Sequence, residues 1–167
     1  TPTCSIIDNF EGVDEIRPGN FVFYDLMQYS LGSCSLDQIA VAMACPVVAK
    51  HQSRKELVIY GGGVHFSKEA GVLDNEKIPY YGFAVDLNKK GWKIPDRKSY
   101  YSKMSQEHGI IQASDKCFEK YQVGDIIGSA CLSADCPSFE SESLRCLPTS
   151  FRVAHPATHK HKANKAM

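Results

Sequence analysis

Apolar positions in this chain fall in short runs bounded by glycine, asparagine and aspartate, and few of them recur at helical spacing. Between Asn20 and Gly128 the runs are FVFYDLMQ, IAVAMACPVVAKH, ELVIY, YYGFAVDL, SYYSKMSQEHG and YQVGDIIG. Turn signals at residues 88–91 (NKKG) and 123–125 (VGD) divide the later ones. Pro46 interrupts the longest run and predicts a bulge or an edge position, because proline cannot donate to a strand ladder. Gly61, Gly62 and Gly63 follow ELVIY, and three glycines in a row predict a strand end or a close approach to the backbone. Helical spacing is confined to SLDQIAVAMA, which allows a few turns at most, with Ser35 as the cap. Strands of this length and spacing predict a small, mainly-β domain over residues 20–128, a barrel or a sandwich.

The pattern changes after Gly128. Residues 129–167 contain no Gly, Ile, Tyr or Trp, sustain neither period, and close with the basic run HKHKANK. Too few regularly spaced apolar groups remain to offset the entropy of ordering, so an irregular or disordered tail is expected. The abruptness of the change also has the character of codons read out of frame.

Composition narrows the chemistry. Nineteen Lys and Arg balance nineteen Asp and Glu across 167 residues, so no global field favours nucleic acid or an anionic membrane. Apolar runs fall well short of the ~20 residues of a membrane span, and no charged-then-apolar leader is visible. A cytoplasmic protein is therefore expected. Seven cysteines, an odd number without a signal peptide, read as reduced thiols that pack as small apolar groups.

One constellation near the amino terminus has the makings of an anion site. Thr1 offers a hydroxyl beside Pro2, and the later RPGN supplies Arg17, Gly19 and Asn20. Gly19 removes the Cβ that would shield neighbouring backbone N–H groups, and a phosphate could be held between such N–H groups and a hydroxyl. The same four residues also make an ordinary turn.

TPTCS followed by EIRPGNFVFYDLMQ resembles a junction in the fold-type III pyridoxal-phosphate enzymes of the D-threonine aldolase, D-serine dehydratase and alanine racemase-like group. VIYGGGVHFSKE and EHG extend the resemblance to about Gly128. It implies an amino-terminal (β/α)8 barrel carrying pyridoxal 5'-phosphate, missing here, and a carboxy-terminal β-domain over residues 20–128 that packs against a partner in a homodimer. Residues 1–19 would be the end of the missing barrel with its phosphate loop, and residues 129–167 the tail. By the same resemblance Thr1, Gly19 and Asn20 bind the cofactor phosphate and Arg17 approaches the pyridine ring. The lysine that carries the cofactor belongs to the missing barrel, so no catalytic residue is expected here and the chain alone should be inactive. The implied substrates are D-amino acids or 3-hydroxy amino acids, undergoing aldol cleavage, dehydration or racemisation.

Dehydratase and aldolase relatives carry a His-X-Cys or His-X-Asp pair that binds a divalent metal after the Gly-Asp strand. Placing Cys131 on the ligand puts Ser129 where the histidine belongs, and placing Cys136 there puts Ala134 in that position. No metal site is expected in this chain. His65 and His108 lie at strand ends, where the resemblance puts the mouth of the active site, and each also reads as a structural histidine. The alternative to an enzyme part is a free-standing β-barrel interaction module, with RPGN as a plain turn and the His/Lys tail as a binding arm.

Overall fold

The computed structural model describes residues 6–17, 19–20, 23–73, 77–89, 91–93, 97–133 and 153–154. Ten strands run through them: β1 (Ala42–His51), β2 (Glu56–Tyr60), β3 (Gly71–Leu73), β4 (Ile78–Tyr80), β5 (Gly82–Asn88), β6 (Gly91–Lys93), β7 (Tyr100–Met104), β8 (His108–Gln112), β9 (Ile126–Cys131) and β10 (Val153–Ala154). Six of them close into a ring. β1 pairs with β2, β2 with β8, β8 with β7, β7 with β5 and β5 with β9, which returns to β1, every pairing antiparallel. The expected mainly-β domain is thus a six-stranded antiparallel barrel, in which closure removes the open sheet edge. β3 and β4 form a separate ribbon, β6 folds back on β5, and β10 pairs with Ala42 and Met43.

Closure depends on the long first strand. Met43–Pro46 pair with β9, while Val47 and residues 49–51 pair with β2. Pro46 stands at the hand-over, next to a register shift between Val47 and Ala49, which is the irregularity its missing N–H predicts. A second shift falls between Tyr101 and Lys103 where β7 meets β8. Bulges of this kind add the local twist and bend that a small barrel needs.

The pleat decides which side chains enter the barrel. Met43, Cys45 and Val47 of β1, Leu57 and Ile59 of β2, Ile111 of β8 and Ile127 of β9 fill its interior. Each buried aliphatic side chain here contributes about 1.5–3 kcal/mol. The opposite face of β1, β5 and β9 is also covered: Ala42, Phe83, Val85 and Ala130 pack against Leu26 and Ile39. Strands buried on both faces read as unbroken apolar runs, which explains IAVAMACPVV.

Leu26 belongs to the short helix α1 (Leu26–Ser30), and here the sequence expectation is corrected. FVFYDLMQ is not a strand in its described part, because the Asp25 side chain accepts the Gln28 N–H at 2.7 Å and starts a helix instead. SLDQ makes a single 3-10 turn (Leu36–Gln38) closed by a Ser35/Gln38 capping box. A second helix, α2 (Asp115–Lys120), is capped by Ser114 and sends Cys117 and Phe118 into the barrel, closing one end.

β9 does not stop at Gly128, where the sequence reading ended the domain. Ser129, Ala130 and Cys131 pair with β5, and Leu132 and Ser133 are buried beyond them. Apart from the β10 backbone, the rest of the expected tail lies outside the described residues. Among the described residues no helix is long and apolar enough to cross a membrane.

Candidate functional site

Two regions gather the residues singled out from sequence. The first is the amino-terminal corner before α1. Thr1 and Pro18 lie outside the described residues, so of the four expected cradle residues Arg17, Gly19 and Asn20 are described. Arg17 turns its guanidinium on Glu15, with Nε to Oε1 at 2.7 Å and Nη2 to Oε2 at 3.1 Å. Both side chains are largely exposed, so the pair adds little stability. Gly19 is exposed in a bend, and Asn20 follows it half-buried.

Asn20 ties this loop to the helix. Its Nδ2 donates to Asp25 Oδ2 at 2.5 Å, while its Oδ1 is buried without a partner. The opposite flip would set two oxygens against each other, so the hydrogen-bond network assigns this orientation. Asp25, itself buried, accepts from Asn20 on one oxygen and caps α1 with the other. Tyr24, next to it, has φ 51°, a left-handed conformation that costs a non-glycine residue on the order of 1 kcal/mol. The side chains of this corner are therefore already engaged with one another, Arg17 with Glu15 and Asn20 with Asp25. The side-chain amide is committed to a carboxylate, and that carboxylate repels a second anion.

The second region is the end of the barrel opposite α2. Here Gly61–Gly63 run on from β2 against the turn that joins β7 to β8. Gly61 N donates to Glu107 O at 2.9 Å, Gly63 N to Ser105 O at 2.8 Å and Val64 N to Gln106 O at 2.9 Å. A Cβ on Gly62 would lie 2.5 Å from His108 N and 2.6 Å from Ser105 O. Gly62 is required by this backbone-to-backbone contact, the second of the two roles expected of the glycines, while a Cβ on Gly61 would meet the Cys45 and Phe66 side chains.

His65 and His108, distant in sequence, meet on one ring. His65 packs edge-on to Tyr60 at 5.1 Å between centroids, and His108 does so at 5.6 Å. His65 is buried, and its Nδ1 accepts the Gly62 N–H at 3.2 Å, which fixes the neutral tautomer with hydrogen on Nε2. Burial lowers its pKa from the ordinary imidazole value, Glu107 pushes it up and His108 pushes it down, with a net lowering. Beside them a cleft of about 450 Å³ is lined by Gly63, Val64, Lys68, Tyr81, Met104, Ser105 and Gln106. Nothing in the linear sequence signals the cleft, because its walls come from three separate loops and strands.

The position expected for a metal ligand is inside the domain. Ser129 lies opposite Met43 and Ala84, and Cys131 opposite Gly82, both buried. Tyr101, fully buried nearby, has its phenol pKa raised well above the ordinary value by burial, with the neighbouring Cys45 adding to the effect. Ala134, Asp135 and Cys136 lie outside the described residues, and among those described no three His, Cys, Asp or Glu side chains are placed to hold an ion. A seryl hydroxyl in place of an imidazole is a poor donor for a zinc-type ion, so the described ligand positions do not fit a metal.

Comparison with known proteins bears on both regions. Residues 40–140 match the family described as "Putative serine dehydratase domain". The chain is 32% identical over 146 residues to a D-serine dehydratase of Dictyostelium discoideum, covering 80% of this chain and 35% of the relative. It is 27% identical over 119 residues to a D-threo-3-hydroxyaspartate dehydratase of Delftia sp. (strain HT23), covering 71% of this chain and 30% of the relative. The chain thus spans about a third of the length of these curated relatives. Among solved structures, an alanine racemase-like protein of Idiomarina loihiensis superposes with a TM-score of 0.71 at 20% identity, over 95% of this chain and 42% of that one. A cysteine-to-alanine mutant of D-threo-3-hydroxyaspartate dehydratase, in its metal-free form, gives 0.70 at 19% identity, over 95% and 43%. Likenesses at such identity establish the fold. The family match starts at Ala40, so Thr1, Arg17, Gly19 and Asn20 fall outside it, and it continues past Gly128 through β9.

Proposed function

The chain belongs to the serine dehydratase domain family, and from that premise we propose that it is the β-barrel part of a longer pyridoxal-phosphate enzyme that removes water from a D-3-hydroxy amino acid. One observation carries the reading: the family match over residues 40–140 spans the closed barrel, while the whole chain spans only about a third of its relatives. Both curated relatives named above are dehydratases, which favours dehydration over the aldol and racemase alternatives.

In this reading the barrel forms one wall of the active site and contributes little chemistry itself. The main-chain N–H groups of Gly19 and Asn20, with the Thr1 hydroxyl, contact the cofactor phosphate. Asn20 holds that loop on the Asp25 cap of α1, and Arg17 leaves Glu15 to reach the cofactor ring. Bound pyridoxal phosphate supplies the electron sink that lets the α-hydrogen and the 3-hydroxyl depart. Ile6, Phe10, Val13, Ile16 and Phe23, each about 40–55% exposed, are apolar side chains that the remainder of the (β/α)8 barrel would cover. A second subunit completes a homodimer.

The test is the longer gene product. The coding sequence on the amino-terminal side of Thr1 is translated, the whole protein is expressed with pyridoxal phosphate, and ammonia and 2-oxo acid release are measured from D-serine and D-threo-3-hydroxyaspartate. Release that disappears when the cofactor is removed is expected. An adjoining frame with no (β/α)8 barrel, together with no release, would overturn the reading in favour of a free-standing interaction module.

A further inference from the structure

His65 is the buried histidine among the described residues; His51 is half-buried and His108 exposed. It sits at the centre of a set of main-chain bonds that hold one loop to one turn. His65 N and Phe66 N both donate to Gly62 O, at 2.8 and 3.0 Å, and the imidazole closes this tight loop by accepting from Gly62 N. The same loop bonds through Gly61, Gly63 and Val64 to the turn at residues 105–107. Phe66, the next residue, enters the barrel and meets the Tyr101 ring edge-on at 5.5 Å. Gly63 and Val64 form one wall of the 450 Å³ cleft. One side chain therefore braces a wall of the cleft and the plug of the barrel together.

We propose that His65 is a pH-sensitive latch on this end of the barrel: while its imidazole is neutral the segment 61–66 stays pinned to the 105–107 turn, and protonation releases the segment and opens the cleft wall. The physical reason lies at Nδ1. A neutral ring presents a lone pair to the Gly62 N–H, whereas the imidazolium presents a second hydrogen to the same donor. Gly62 cannot move closer to another acceptor without cost, because it is already packed on the backbone of residues 105–108. Protonation also places a charge in a buried site beside the Tyr60 ring. The groups that face it are Glu107, which favours the charged form, and His108, which disfavours it. Lys68, on the same loop three residues on, adds a further positive charge at the cleft rim.

The direction in pH follows from the burial. His65 binds its proton less readily in the folded chain than in the unfolded one. Its contribution is complete above the ordinary imidazole value of about 6.5 and is lost as pH falls from there through the folded value. Each unit between the two values corresponds to about a tenfold change in the opening equilibrium.

The experiment is hydrogen exchange with NMR titration on this chain from pH 7.5 to 5, in the wild type and in His65→Asn. Asparagine sets its Oδ1 near the place of Nδ1 and keeps an acceptor that does not titrate. After correction for intrinsic rates, the protection of Gly62, Gly63 and Val64 is expected to be lost progressively on acidification in the wild type, while Ile110 and Ile111 of β8 hold theirs. In His65→Asn the fall should vanish. His65 titrating at or above the ordinary value, or protection that falls equally in β8, would overturn the latch, and both readouts stand on the wild type alone if the variant does not fold. None of these readouts depends on enzymatic activity, so the latch can fail while the family reading stands, and the reverse.

Discussion

The two ends of the barrel are closed by different physics. At one end α2 inserts Cys117 and Phe118 and is then held from outside by charges. Lys50 Nζ donates to Phe118 O and Tyr121 O, each at 2.7 Å, and stands 4.3 Å from the Phe118 ring centroid. Asp86 accepts from Tyr121 Oη at 2.8 Å and pairs with Lys120 at 2.7 Å. At the other end no helix intervenes among the described residues; glycines let two backbones touch, and one neutral imidazole locks them. A helical plug supplies buried area and tolerates small shifts. A glycine-to-backbone seam has little area and no slack, so its integrity rests on a few hydrogen bonds and on protonation state.

The sharpest way to test that contrast is to damage each end in kind. Phe118→Ala empties the plug and should cost about 3–5 kcal/mol in urea unfolding, through lost burial and a cavity that the barrel walls cannot fill. Gly62→Ala forces a methyl into the backbone of residues 105–108 and should cost about 1–3 kcal/mol, with the perturbed amides confined to the end opposite α2. An alanine at 62 that leaves stability and exchange untouched would mean the seam is loose.

Acid should separate the ends next. Burial alone would raise the Asp86 carboxyl, but hydrogen bonds from Lys120 and Tyr121, with the charges of Lys120 and Lys116, hold it below its ordinary value. A lowered carboxyl gives its stability above about pH 3.9 and loses it as pH falls through the folded value. Between about pH 6.5 and 4, then, exchange should quicken at residues 62–66 and stay slow at 117–121. Simultaneous loss at both ends would erase the distinction. The smallest effect is expected from Asp86→Asn, which keeps an acceptor for Tyr121 and removes one half-exposed charge. It should cost less than about 1 kcal/mol and shrink further in high salt.

What could be read in advance tracks how local the cause is. The runs ELVIY, YYGFAVDL and SYYSKM became β2, β5 and β7 because pleat and turn residues act over a few positions. Pro46 marked a real register shift for the same reason. FVFYDLMQ misled because β propensity in an aromatic run was overruled by one cap, Asp25. The exit of β9 was missed because its residues are small. Gly128 would clash with Val85 and Leu87 if it carried a Cβ, and Ala130 is wholly buried. Crowding on both faces excludes the large β-branched residues by which a strand is recognised.

The candidate site divides along the same line. From sequence alone came Arg17, Gly19 and Asn20 as candidates, the strand-end position of His108, and the mainly-β character of the domain, each a property of a few neighbouring residues. His65, by contrast, lies in a loop beyond β2 rather than at a strand end. Only the tertiary structure decided that six strands close into a ring, that Asn20 is spent on Asp25, and that His65 and His108 flank one tyrosine. Those outcomes depend on pairings such as Tyr60 with His108, and on contacts across the barrel, that no local periodicity encodes.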